Sequence, residues 1–173
     1  MGMVVHRMET RRVRLLPFLL FLVALVNGCV SPFEAHANAR LNELDSLLST
    51  VPIMPGSVVV KRYENINRSH VPRCATVSIT QVLGTNEATL QDVVGWYRTN
   101  LDSNQWQINS ARTEGVTYVY SGNEQVSLEV SDNYRWFPEM WDAVKQEQES
   151  FQTLFYIGIN TFVNPDATRT DCT

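Results

Sequence analysis

Few residues of this 173-residue chain have a type and spacing suited to chemistry beyond packing. Cys29 stands at the end of an uncharged apolar run, where its thiol is placed for covalent modification; Cys74 and Cys172 are the other two thiols. Tyr134, Arg135, Trp136, Phe137 and Trp141 fall between Asn133 and Trp141. Aromatic rings with an arginine are enriched at interaction hot spots, which makes this stretch a candidate partner or ligand contact. The competing expectation is that these rings simply cover an open side of a sheet. His6 lies in the N-terminal segment, and His36 and His70 have no Cys, His or carboxylate partners at metal-ligand spacing, so neither a metal nor a cofactor is expected. Asp142, Glu147 and Glu149 suit a solvated helix face better than an acid/base pair, although paired carboxylates distant in sequence can meet in space. The chain has no G-x-S-x-G elbow, phosphate-cradling glycine loop or H-E-x-x-H. No catalytic residue is identified, and the expectation is that the protein is not an enzyme.

The N-terminus has the layout of an export signal. Arg7, Arg11, Arg12 and Arg14 precede Leu15 to Val26, an apolar run of 12 residues. A membrane-spanning helix needs about 20 residues, so the run fits a secretory core segment. Val26-Asn27-Gly28-Cys29 follows: an aliphatic residue, a tolerant position, a small residue and Cys. This resembles the lipobox of bacterial lipoproteins. The resemblance implies cleavage after Gly28, a diacylglyceryl group on Cys29 and extracytoplasmic attachment to the membrane through that lipid. Two or three acyl chains, at about 0.8 kcal/mol per buried CH₂, hold a soluble domain stably. The alternative is ordinary secretory cleavage at Ala35-His36-Ala37, which lies well beyond the apolar run. On this reading residues 1–28 are signal peptide, 29–50 the acylated Cys and a membrane-proximal helix, and 51–173 a single domain.

The formal charge of −4 conceals an asymmetry. Without the four arginines and one glutamate of residues 1–28, ten basic residues face seventeen acidic ones, a net of −7. Nucleic-acid binding needs a basic footprint, so that class is disfavoured. Anionic headgroups would weakly repel such a domain, and attachment falls to the anchor.

The elements that must position any site are organised around Thr89 to Trp106. Leu90, Val93, Val94, Tyr97 and Leu101 recur at helical spacing and predict an amphipathic helix. Thr89 and Asp92 form a capping-box pair, and Asn104 is read as the left-handed stop. Trp96 points off the apolar stripe, to a flank or a contact. Ala37, Leu41, Leu44 and Leu48 predict an N-terminal helix ending before Pro52. Ser57 to Tyr63 and Ala75 to Leu83 read as strands, with Glu64 to Arg73 as a polar loop. A strand opening at Trp106 precedes a hairpin in which Val116, Tyr118 and Tyr120 and then Val126, Leu128 and Val130 alternate with polar neighbours. Pro138 to Gln152 suits a helix, with Pro in its first turn. Leu154 to Val163 reads as a last strand.

This order predicts an α+β fold: an antiparallel sheet of about five or six strands in two layers, with the central helix packed on one face, plus an N-terminal helix. Pro55, Gly56, Val93, Trp96, Tyr97, Arg98, Leu101 and Trp106 follow an outline that resembles a domain of uncharacterised bacterial lipoproteins, over Pro55 to Val130. Gln105 stands where Gly commonly precedes the Trp in such proteins. The pattern is mostly packing, so the resemblance implies fold and location and carries no catalytic residue.

After export, Cys74 and Cys172 are the two thiols left beside an acylated Cys29. An oxidising compartment and an even count favour a disulfide that pins the C-terminal tail; the alternative is two independent cysteines. The leading functional expectation is a membrane-anchored envelope lipoprotein with a non-catalytic domain that binds an envelope protein partner. A small-ligand or glycan binder using exposed aromatics comes second, and an enzyme with a cryptic carboxylate site third.

Overall fold

The computed structural model describes residues 31–71, 74–134 and 138–164. Helix α1 (Pro32–Leu48) is followed by a hairpin of β1 (Ser57–Val71) and β2 (Cys74–Thr85). Helix α2 (Leu90–Asn100) leads into a meander of β3 (Trp106–Arg112), β4 (Gly115–Tyr120) and β5 (Asn123–Ser131), and helix α3 (Pro138–Glu147) into the final strand β6 (Thr153–Val163). The six strands form one sheet in the order β1-β2-β6-β5-β4-β3, with every pair antiparallel. The expected α+β architecture is therefore the observed one.

The last strand takes a central place. β6 pairs along its length with β2, from Ala75↔Val163 to Thr85↔Thr153, and on its other side with β5, from Ser127↔Asn160 to Ser131↔Tyr156. Its composition explains why. Phe155, Tyr156, Ile157, Gly158 and Ile159 are all buried. A strand covered on both faces reads as a continuous apolar run rather than an alternating one.

Alternation in the other strands sorts side chains between two faces. Val77, Ile79 and Leu83 of β2, Phe155, Ile157 and Ile159 of β6, Val126, Leu128 and Val130 of β5, and Val116 and Tyr118 of β4 share the main core with α1 and α2. Helix α1 supplies Phe33, Ala37, Leu44 and Leu48, so the helix read as lying before the domain packs into the domain's own core. Helix α2 supplies Val93, Val94 and Tyr97. On the opposite face a smaller core joins Val82 and Tyr156 to Tyr134 and, from α3, Met140 and Val144. The two-layer outline thus gains a partial third layer over β2 and β6.

Helix α2 starts as its sequence predicts. Asp92 N donates to Thr89 Oγ1 at 3.3 Å, and Thr89 N donates to Asp92 Oδ2 at 2.9 Å. Thr89 Oγ1 also donates to Asp92 Oδ2 at 2.6 Å, and this bond, with the one from the Thr89 backbone, holds the Asp92 carboxyl below the usual carboxylate range. Thr89→Ala is expected to cost about 1 kcal/mol, the usual effect of losing such a cap, read as a lower urea midpoint with an unchanged slope. The end of α2 differs from expectation. The cap is Leu101, with extended backbone at φ −75° and ψ 137°, rather than Asn104. Asn104 N instead takes a bond to Asp102 Oδ1 at 2.9 Å, a local turn that competes with helix continuation.

The expected loop at 64–73 is corrected over 64–71, residues 72 and 73 lying outside the described residues. β1 runs on through Glu64, Asn65, Ile66 and Asn67, paired with Ile79, Ser78, Val77 and Thr76. An edge strand satisfies its backbone through one neighbour and leaves polar side chains in water, so polarity there did not signal a loop. Gly56, at φ 76°, makes the turn into β1 that an L side chain resists.

Four buried tyrosines give the fold an alkaline limit. Burial pushes the Tyr97 and Tyr118 hydroxyls up to about 12. Tyr134 and Tyr156 are raised as well, again chiefly by burial. The unfolded chain ionises these groups near pH 10 and the folded one does not. Their contribution is therefore complete below pH 10 and is lost as pH rises through about 12. Urea midpoints should fall steeply over that window, and Tyr97→Phe should make the fall shallower; an unchanged slope would count against this origin.

Candidate functional site

Beside the small α3 core, the second face of the sheet turns polar, because β4 and β5 direct their alternate residues there. Register brings Ser110, Thr117, Glu129 and Gly158 into one row across β3, β4, β5 and β6, and Arg112, Gly115, Ser131 and Tyr156 into the next. Glycine at two of these eight positions leaves the floor low. The result is a polar cleft of about 200 Å³ lined by residues that include Ser110, Arg112, Thr117, Glu129, Ser131 and Asn133.

The rim is held by the β3–β4 turn. Ser131 Oγ donates to the Glu114 carbonyl at 2.9 Å, and Asn133 N donates to Ser131 Oγ at 3.0 Å. Burial raises the Asp132 carboxyl above its ordinary value, and the Glu114 charge adds to the rise. Glu129 lies close enough to Tyr156 that its negative charge is the second cause, after burial, of the raised Tyr156 hydroxyl. One row further on, Ser127 Oγ donates to Asn160 Oδ1 at 3.0 Å. Arg112 and Asn133 supply donors, Glu129 an acceptor and the hydroxyls both, so the cleft is equipped to hold a polar group by hydrogen bonds.

Gly115 sets a limit on this geometry. A Cβ there would collide with the Val130 carbonyl oxygen and with Ser131. Backbone cannot swing aside as a side-chain tip can, so Gly115→Ala should force β4 and β5 apart at the cleft. Strain of this kind typically costs about 1–3 kcal/mol, and a calorimetric melt together with amide shifts at Val130 and Ser131 would register it.

The residues singled out from the sequence are not gathered here. Tyr134 is 5% exposed, packed at 5.6 Å between ring centroids on Tyr156, so it serves the second core and offers no contact surface. Arg135, Trp136 and Phe137 lie outside the described residues. Trp141 falls on α3, with its side chain also outside them. Trp96 is half-buried, edge-on to Tyr97 at 4.9 Å, and belongs to the flank of the main core. Cys74 is 3% exposed at the start of β2 and is engaged rather than free. Cys29 and Cys172 lie outside the described residues. Among the described residues no group of three or more His, Cys, Asp or Glu is placed to hold a metal ion.

No family model matches the chain, and neither curated proteins nor solved structures give a match. The site therefore rests on its own geometry. Arg112, Glu114, Glu129 and Ser131 had no motif to mark them. The one available signal was the strict alternation of Val126, Leu128 and Val130, which turns Glu129 and Ser131 to the face away from the main core.

Proposed function

We propose that this chain is a lipid-anchored envelope protein, acylated on Cys29, whose domain is a non-catalytic binding module for an envelope partner. The observation that carries the reading concerns the competing cleavage site. Ala35-His36-Ala37 lies inside α1, where Phe33 and Ala37 are core residues, and cutting after Ala37 would strip Phe33 and the first turn from the fold. Cleavage before Cys29 leaves α1 whole, with Val30 and Ser31 between the lipid and the helix. Among the described residues no helix is long and apolar enough to cross a membrane. Cys74 is engaged rather than free, and with Cys29 acylated Cys172 is the one other thiol in the sequence, so a Cys74–Cys172 disulfide is part of this proposal.

Mass spectrometry of the mature N-terminus tests it. An acylated Cys29 is expected, and Cys29→Ser should move the protein from the membrane to the soluble fraction. A soluble wild-type product beginning at Asn38 would overturn the proposal. For the binding role, a photo-crosslinker at Thr117 in the cleft should give a discrete adduct that Glu129→Lys removes, and one at exposed Asn109 should not. A second reading, a small polar ligand such as a glycan, is favoured by the mixed donors and acceptors of the cleft. It predicts instead that ligand protects Thr117 from the label and that no protein adduct forms.

A further inference from the structure

One edge of the sheet is long and carries a specific pattern of charge. β1 has 15 residues and pairs with β2, and among the described residues no strand lies on its other side. The outward N–H and C=O groups of such an edge are a template for a further strand. The opposite edge is poorer: β3 has seven residues and a bulge between Ile108 and Ser110, which disrupts the ladder there. Between its own irregularities β1 is regular from Lys61 to Asn67. Before that window, Val58 and Val59 are 52% and 44% exposed. Within it, Arg62 and Glu64 stand opposite Gln81 and Ile79, on the main-core face, and Lys61, Tyr63 and Asn65 stand opposite Val82, Thr80 and Ser78, on the other.

We propose that β1 pairs antiparallel with β1 of a second copy of this chain, about a two-fold axis at Tyr63, so that two sheets continue as one. Charge selects that register. Residues directly opposite in an antiparallel pair share a face of the sheet, so a two-fold axis between identical strands falls on a residue. An axis at Lys61, Arg62 or Glu64 would set that residue's charge against its own copy, and like charges directly opposite are destabilising. An axis at Tyr63 sets Arg62 against Glu64 of the second copy and Glu64 against its Arg62, with Lys61 against Asn65. Two opposite-charge pairs form and no like pair does. Within one copy Arg62 already holds Asp45 of α1 at 2.8 Å and Glu64 at 3.0 Å, so its guanidinium is fixed on the face where the new pairs would form. Backbone bonds of the edge then supply the affinity and the charge pattern the specificity, as in other strand additions. The proposal depends neither on the anchoring of Cys29 nor on the use of the polar cleft.

The test uses the full chain in mild detergent, with Tyr63→Cys as a reporter of the axis. Mild oxidation should give a crosslinked dimer well above the wild-type level, and Asn109→Cys on the β3 edge should not. Arg62→Glu and Glu64→Arg, each added to Tyr63→Cys, should lower the yield about tenfold, because each sets two like pairs across the axis. Mixing the two variants should restore it as a mixed dimer, since the altered strands complement one another. A loss caused by misfolding, or by breaking the Arg62–Asp45 pair within one copy, would not be rescued by mixing. Sedimentation velocity of the same chains without the added cysteine should give the same order: dimer for the wild type, monomer for each charge variant alone, dimer for the mixture. Equal crosslinking from Asn109→Cys, charge variants that dimerise as well as their parent, no recovery on mixing, or a wild type that sediments as a monomer would overturn the proposal.

Discussion

Tyr97→Ala is expected to destabilise the domain by about 3–5 kcal/mol, the range for removing a buried aromatic ring. The total stability of a domain this size is typically about 5–15 kcal/mol, so the loss is a large share. Tyr97 is fully buried at the centre of α2, edge-on to Trp96 at 4.9 Å and to Phe155 of β6 at 6.3 Å. Its ring joins the helix to the sheet, in a close-packed interior where removing it leaves a cavity. The hydroxyl matters less. It accepts from Met54 N at 3.4 Å, a long bond, so Tyr97→Phe should cost no more than about 1 kcal/mol. Urea denaturation of the two variants separates ring from hydroxyl. Equal losses for Phe and Ala would show that the hydroxyl, not packing, holds α2 in place.

Breaking the proposed Cys74–Cys172 bridge should have the second largest effect. It would close a loop of about a hundred residues, for which the chain-entropy account gives up to roughly 4–5 kcal/mol, with smaller gains common in practice. Cys172→Ser is the informative variant. Cys74 is 3% exposed, and a serine hydroxyl there would add a desolvation cost of its own. A lower midpoint for Cys172→Ser, matched by reducing agent on the wild type and by no further drop when reductant is added to the variant, is the expected pattern. Wild-type protein that titrates two thiols before reduction would eliminate the bridge.

Much of the fold was legible because the periodic signals were strong and local. The capping box of α2, the five-position apolar stripe and the alternation of Val126, Leu128 and Val130 each specify an element without help from distant residues. What failed to show was whatever depends on pairing. The polar stretch after Tyr63 became strand because β2 supplies its hydrogen bonds, and Tyr134 went inside because Tyr156 waits across the sheet. The cleft was illegible for the same reason. Ser110, Thr117 and Glu129 are separated by turns in sequence and become neighbours only through register.

The position of β6 governs the order in which this molecule can be assembled. The β1–β2 hairpin and the β3–β4–β5 meander are each contiguous in sequence, but neither pairs with the other. Only β6, ending at Val163, joins them. Until β6 has emerged, both half-sheets expose the edges and apolar faces that it will cover, and no closed core joins them. On the proposed export of the chain in an unfolded state, delayed closure would be an advantage, because the strand order disfavours folding before transfer. The corollary is a vulnerability, since a truncation that spares every earlier element but removes β6 leaves two sheets with nothing between them.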